Sequence, residues 1–348
     1  MRLSAILAAV LVPLLFIAAI ESQWPAYAAY ELGVTGTASA TEGAATPQEV
    51  INRAPAGPGD ALTLLAVGDI ANCDEAPGLA AAFPVSADLL GIASAFEPAT
   101  APAVPTVRLT ARWPDAPILA LGDLVYSSGK PVEFSDCFDP IWKGNRGRTL
   151  PTPGNHEYNS PEAFGYYQYW GTRAGPDDRG FYAVHHANWL ILSLNSETEA
   201  GPGSPQAEWL AGTLAASPEA CVLAFYHRPA HSLQARDGRE NAVALFRQLE
   251  HAGASVVLNG HNHFYERTLP LGADGEPDIQ HGTVALTVGT GGETSGALPV
   301  ARTTARAIFA HPGVLRLDLG EDAFGWSFLD AASGATLDAG QAPCNTRR

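Results

Sequence analysis

The sequence predicts an α/β fold, and two observations carry that expectation. Short apolar runs of strand length alternate along the chain with stretches whose apolar residues recur at helical spacing. Five of those runs end abruptly in loops that begin with Asp, Asn or His, which is where open α/β sheets place their ligand sites. The chain has 348 residues, of which 46% are hydrophobic, enough for a sizeable core. No internal repeat breaks the pattern.

The strands follow in order. Leu62 to Val67 is an apolar run ending at Gly68-Asp69, and Pro117 to Leu121 ends at Gly122-Asp123. Thr149 to Pro153 leads into Gly154-Asn155-His156, and Trp189 to Leu194 is a further strand. Cys221 to Tyr226 ends at His227, and Ser255 to Leu258 ends at Asn259-Gly260-His261. Val284 to Val288 ends in Gly289-Thr290-Gly291-Gly292, a stretch that reads equally as a phosphate cradle or a simple turn. Gly313 to Leu319 and Gly325 to Leu329 read as a closing hairpin. Between them, Gln206 to Ala216 and Asn241 to Ala252 carry helical periodicity, the latter at Ala242, Leu245, Phe246 and Leu249.

The chain ahead of these elements has a different character. Arg2 precedes an almost purely apolar run from Leu3 to Ile20, and Ala26-Tyr27-Ala28 offers small residues for cleavage. Residues 1–28 are therefore expected to be an export signal, with a retained membrane anchor as the alternative; either places the rest outside the cytoplasm. Residues 29–59, rich in Ala, Gly, Thr and Pro, are expected to be a flexible linker. Residues 60–343 are then expected to form a single α/β domain.

Charge narrows the function. The formal net charge of −16 excludes nucleic-acid binding, which needs basic patches. It does not exclude an anionic substrate, because bound cations dominate the local field of a site. The four cysteines, Cys73, Cys137, Cys221 and Cys344, allow three pairings. Cys73–Cys137 and Cys221–Cys344 are expected, since the first two each follow a site-bearing strand and the last staples the tail. None has the close spacing of a thiolate metal site.

The strand ends together supply Asp69, Asp123, Asn155, His227, His261 and His263. Carboxylate oxygen and imidazole nitrogen suit first-row transition metals. Two ions need a bridging ligand, and Asp123 is the natural one. His261 and His263 are two apart, so an extended segment turns both to one cluster with Asn262 facing away.

Gly68-Asp69, Gly122-Asp123-Leu124-Val125-Tyr126, Gly154-Asn155-His156-Glu157, His227 and Gly260-His261-Asn262-His263 resemble, in order, the motifs of the calcineurin-like metallophosphoesterases. Within that superfamily the chain most resembles the purple acid phosphatases and their small bacterial relatives. The first motif reads Asp69-Ile70-Ala71 where most of the superfamily has a histidine, and Tyr126 stands three residues after the second Asp, as in the purple enzymes. Ala71 departs from their usual Gly.

The resemblance implies a four-layer α/β/β/α sandwich of two mixed sheets flanked by helices. It implies one ion held by Asp69, Asp123, Tyr126 and His263, and another by Asp123, Asn155, His227 and His261. A phenolate favours Fe³⁺, paired with divalent Fe, Zn or Mn. The expected activity is hydrolysis of small phosphate monoesters by metal-activated hydroxide. His156 would be the general acid, and Glu157 would fix the loop or His156; Asn155 and His231 are further substrate-binding candidates. Arg228 and Arg267 read as readily as partners of carboxylates, and His185, His186, His251 and His281 as structural. The alternatives are a phosphodiesterase or nucleotidase on the same scaffold, or a non-catalytic exported protein that binds metal or phosphate. A membrane is a partner only if the N-terminal segment is retained.

Overall fold

The computed structural model describes residues 45–72, 103–234, 238–345 and 347. Their elements run α1 (Pro47–Asn52), β1 (Leu62–Val67), β2 (Ala71–Asn72), α2 (Val104–Thr110), β3 (Ile118–Leu121), β4 (Val125–Tyr126), α3 (Asp139–Arg146) and β5 (Thr149–Thr152). After them come α4 (Phe164–Trp170), β6 (Tyr182–His186), β7 (Trp189–Ser193), α5 (Pro205–Ala216), β8 (Cys221–Phe225), α6 (Glu240–His251) and β9 (Val256–Asn259). The C-terminal part is all strand: β10 (Tyr265–Thr268), β11 (Val284–Val288), β12 (Thr304–Ile308), β13 (Gly313–Leu319), β14 (Ala323–Asp330) and β15 (Thr336–Pro343).

Two mixed sheets form the centre. One has the order β15-β14-β13-β1-β3-β5 and the other β12-β10-β11-β9-β8-β7-β6. Within the first, β1, β3 and β5 are parallel; within the second, β7, β8, β9 and β11 are parallel. The layering follows from the period-2 alternation of a strand. In β1, Leu62, Leu64 and Ala66 enter a central cluster together with Leu223 and Phe225 of β8. Leu65 and Val67 of β1 face the opposite way, into a cluster with Leu109 of α2, Trp142 of α3 and Tyr166 of α4. Val222 and Ala224 of β8 do the same on the far side, against Leu210 of α5 and Leu245 and Leu249 of α6. Strands covered on both faces are apolar without alternation, which is why these runs are legible. The result is the expected sandwich of helices, sheet, sheet and helices.

Several elements differ from expectation. Residues 45–59, expected as linker, include α1, whose Val50 and Ile51 are buried in the central cluster. Thr46 and Glu49 form a reciprocal cap and Pro47 opens the first turn, a start signal present in the sequence. Gln48 bonds the backbone N–H and carbonyl of His185, so the helix covers the open edge of β6. The closing hairpin gains a third strand, β15, paired with β14.

Cys221 and Cys344 form a disulfide, which fits an oxidising compartment. Cys137 is also disulfide-bonded; its expected partner Cys73 lies outside the described residues, as do the segments 1–28 and 29–44. No helix among the described residues is long and apolar enough to cross a membrane. The Cys221–Cys344 bridge spans 123 residues of sequence, so its loss should be costly. Replacing both cysteines by Ser should lower the unfolding free energy by about 2–5 kcal/mol, read as a shifted denaturation midpoint.

Candidate metal centre

The parallel strands of both sheets point their carboxyl ends the same way, and the loops that follow meet there. Asp69, Asp123 and His261 each take a left-handed backbone conformation, with φ of 58°, 48° and 68°. This conformation is uncommon outside glycine and recurs at functional sites. The turns are tightly packed. A Cβ on Gly260 would lie 2.6 Å from Oδ2 of Asp69 and 2.8 Å from the Leu121 carbonyl oxygen, so only glycine lets the backbone pass.

The seven expected ligands converge in two groups. In the first, the Tyr126 hydroxyl donates to Oδ1 of Asp69 at 2.8 Å, and Nε2 of His263 lies 3.3 Å from that same oxygen and 3.3 Å from the hydroxyl. In the second, Nε2 of His227 lies 3.0 Å from Oδ2 of Asp123, 3.2 Å from Oδ1 of Asn155 and 3.2 Å from Nδ1 of His261. Ligand atoms of Asp123, His227 and His261 all fall within 4.8 Å of one another. The groups are joined where the His261 N–H donates to Oδ2 of Asp69 at 2.8 Å. Asn262 faces away, donating to Ser232 and the Gln234 carbonyl.

Burial makes the electrostatics severe. Asp69 and Asp123 are 0% and 1% exposed, and buried carboxylates demand compensation. Burial alone would raise the Asp123 carboxyl; His227, with help from His156, outweighs it and holds the group well below its usual range. Burial likewise disfavours charge on His227, but the Asp123 carboxylate outweighs that and pushes it up to about 10. A proton and a cation compete for the same imidazole lone pair. Nδ1 of His227 faces the Leu121 carbonyl oxygen at 2.9 Å. That acceptor holds a proton on the outer nitrogen and leaves Nε2 to face the cluster. Burial, then Asp69 and Asp123, push the Tyr126 phenol well above its usual value; a bound cation would reverse that field. Oxygen and imidazole donors buried among excess negative charge suit one or two transition-metal ions.

Glu157 explains how the loops hold their shape. It is fully buried, and its two oxygens accept the backbone N–H groups of Asp123, Leu124, Val125 and Gly154. Burial and the neighbouring Asp123 push its carboxyl up to about 8, against the pull of those donors. It thus fixes the loop rather than His156. His156 is fixed elsewhere: its N–H donates to Oδ1 of Asp123 at 2.8 Å, and Nδ1 meets the Ser127 carbonyl at 2.8 Å. Its Nε2 stands 3.9 Å from Oδ2 of Asp123, with the side chain 29% exposed.

Other candidates fall differently. His231 packs edge-on against Phe246, with its ring beside Gly275, among residues of another layer. Arg267 pairs with Asp338 and belongs to the sheets. Arg228, clasped by Glu197, places Nη1 3.3 Å from Nε2 of His261. Its position directly after His227 was the available signal. The glycine-rich turn does not present its N–H groups to the site's centre: Gly291 and Gly292 donate to the Gly68 and Asp69 carbonyls.

Comparison with known proteins gives the family and the fold. The calcineurin-like phosphoesterase family profile matches residues 62–265. A probable purple acid phosphatase 20 of Arabidopsis thaliana is 24% identical over 217 residues, 55% of this chain and 48% of that protein. The chain thus spans about half the length of that relative. Among solved structures, purple acid phosphatase PPD1 from yellow lupin superposes with a TM-score of 0.64 at 14% identity, covering 82% of this chain and 54% of that one. PhoD superposes with a TM-score of 0.57 at 11% identity, covering 84% and 71%.

Proposed function

The chain belongs to the calcineurin-like phosphoesterase family, and from that premise we propose that it is an exported two-metal phosphomonoesterase of the purple acid phosphatase type. The observation that carries the reading is Tyr126, whose hydroxyl meets Asp69 and His263, while the first motif supplies Ala71 in place of a nitrogen ligand. A phenolate oxygen in that set suits Fe³⁺, with divalent Fe, Zn or Mn in the set of Asp123, Asn155, His227 and His261. Bound there, such ions supply water activation and neutralise charge on the phosphoryl oxygens.

The chain's own residues do the rest. Asp123, held against His227 and near enough for its charge to act on Tyr126, would serve both sets. Asn155, beside His227, and His156, beside Asp123, are the residues that would meet a bound phosphate. The Ser127 carbonyl accepts from Nδ1 of His156, so an imidazolium at this position has Nε2–H free to give to the leaving-group oxygen. The export reading rests on the apolar run after Arg2 and on the disulfide.

The test is protein from an iron-replete source, assayed on p-nitrophenyl phosphate and bis(p-nitrophenyl) phosphate. Faster turnover of the monoester, a visible tyrosinate-to-iron absorption band and its loss in Tyr126→Phe are expected. Preference for the diester would make the protein a phosphodiesterase, and a metal-loaded protein inert on both would make it a binding protein. A colourless iron-loaded protein would return it to the wider family.

A further inference from the structure

The glycine-rich turn after β11 has a purpose other than cradling phosphate. Its N–H groups are spent on the strand-end backbone: Gly291 donates to the Gly68 carbonyl at 2.9 Å, and Gly292 and Glu293 donate to the Asp69 carbonyl at 2.8 and 3.3 Å. The same turn holds the other side of the site, because Ser295 donates to the His263 carbonyl at 2.6 Å. Clamped between these points, Glu293 is delivered beside His263. Its Oε1 accepts from Nδ2 of Asn72 at 2.8 Å, and its Oε2 lies 3.9 Å from Nδ1 of His263. Asn72 is itself placed by the parallel pairing of β2 with β4, where it stands opposite Tyr126.

We infer that Glu293, steadied by Asn72, is a positioning residue that orients His263 toward the ion held with Asp69 and Tyr126. This rests on the two-ion reading above. A neutral imidazole carries one N–H, and a metal ligand must present its bare nitrogen inward. At 3.9 Å the Glu293 carboxylate makes no direct hydrogen bond, but its charge favours the proton on Nδ1 and leaves Nε2 facing Oδ1 of Asp69, 3.3 Å away. His227 is fixed in the same sense by the Leu121 carbonyl. The two sets therefore differ: one histidine is steadied by a neutral dipole, the other by a full negative charge. That charge makes the imidazole a stronger donor and biases the Tyr126 set toward the more highly charged ion. Both side chains are 21% exposed, so the charge is only partly screened by water.

The experiment titrates metal-free protein with Zn²⁺ by calorimetry and compares wild type, Glu293→Gln, Glu293→Ala and Asn72→Ala. Wild type should take up two equivalents. Both Glu293 variants should bind one equivalent about 10- to 100-fold more weakly while the other is unchanged. Asn72→Ala should move in the same direction by less, and the metal-free melting temperatures should stay at the wild-type value. Two unaltered equivalents in both Glu293 variants would overturn the inference. So would equal weakening of both equivalents with a lowered melting temperature, which would mark a merely structural side chain. A wild type that takes up no zinc would instead sink the two-ion reading itself.

Discussion

If the chain hydrolyses phosphate esters as proposed, Asp123→Asn should abolish most of that activity, lowering kcat/KM by roughly 10³-fold or more. Its carboxylate sits in the His227 group, with Oδ2 at 3.0 Å from Nε2 of His227 and Oδ1 accepting the His156 N–H, and its charge reaches the Tyr126 phenol of the other group. The asparagine is nearly isosteric and can keep the second contact, so the loops should stay folded. It removes one negative charge from a site buried to 1% exposure, where charges are poorly screened. An ion's charge stabilisation at a reacting phosphoryl group is worth several kcal/mol, and each 1.36 kcal/mol is tenfold in rate. Bound metal should fall with activity. Wild-type turnover in a fully metal-loaded Asp123→Asn protein would remove Asp123 from the centre of the scheme.

His156→Ala should act differently. General acid catalysis contributes about 10²- to 10⁴-fold, so kcat should drop by that order while metal content holds near wild type. His156 reaches Asp123 with its backbone N–H, which alanine retains, and its ring is not among the atoms clustered around His227. The loss should be smaller for substrates with good leaving groups, whose departing oxygen needs no proton. Loss of metal in His156→Ala would make it a ligand or a fold element instead.

The ligand positions apart from Tyr126, which only the family resemblance pointed to, are legible because they lie in loops that follow strands buried on both faces. A run such as Leu62 to Val67 has no alternation to confuse, and the first polar residue after it marks the strand's end. The same logic found Asp123, Asn155 and His227. It did not find β15, whose residues are mostly exposed or half-exposed, because an edge strand lacks the apolar run that announces a buried one. Helix α1 was hidden in an Ala- and Pro-rich setting; its one clear sign, Thr46 with Glu49, is local and easily passed over. His231 shows the limit of spacing. Four residues beyond His227, past bends at His227 and Arg228, the side chain packs on Phe246 rather than toward the ligands. Glu293 and Asn72 have no motif at all, since only the folded turn and the pairing of β2 with β4 make them neighbours of His263 and Tyr126.

Glu157 has a consequence for how the protein is made. Because one carboxylate gathers four N–H groups from the turns after β3 and β5, those two turns cannot loosen separately. These four bonds supply order from within the chain, so a cation would meet turns that Glu157 already ties together. Stripped protein should accordingly reload quickly, without refolding, when its ions are restored.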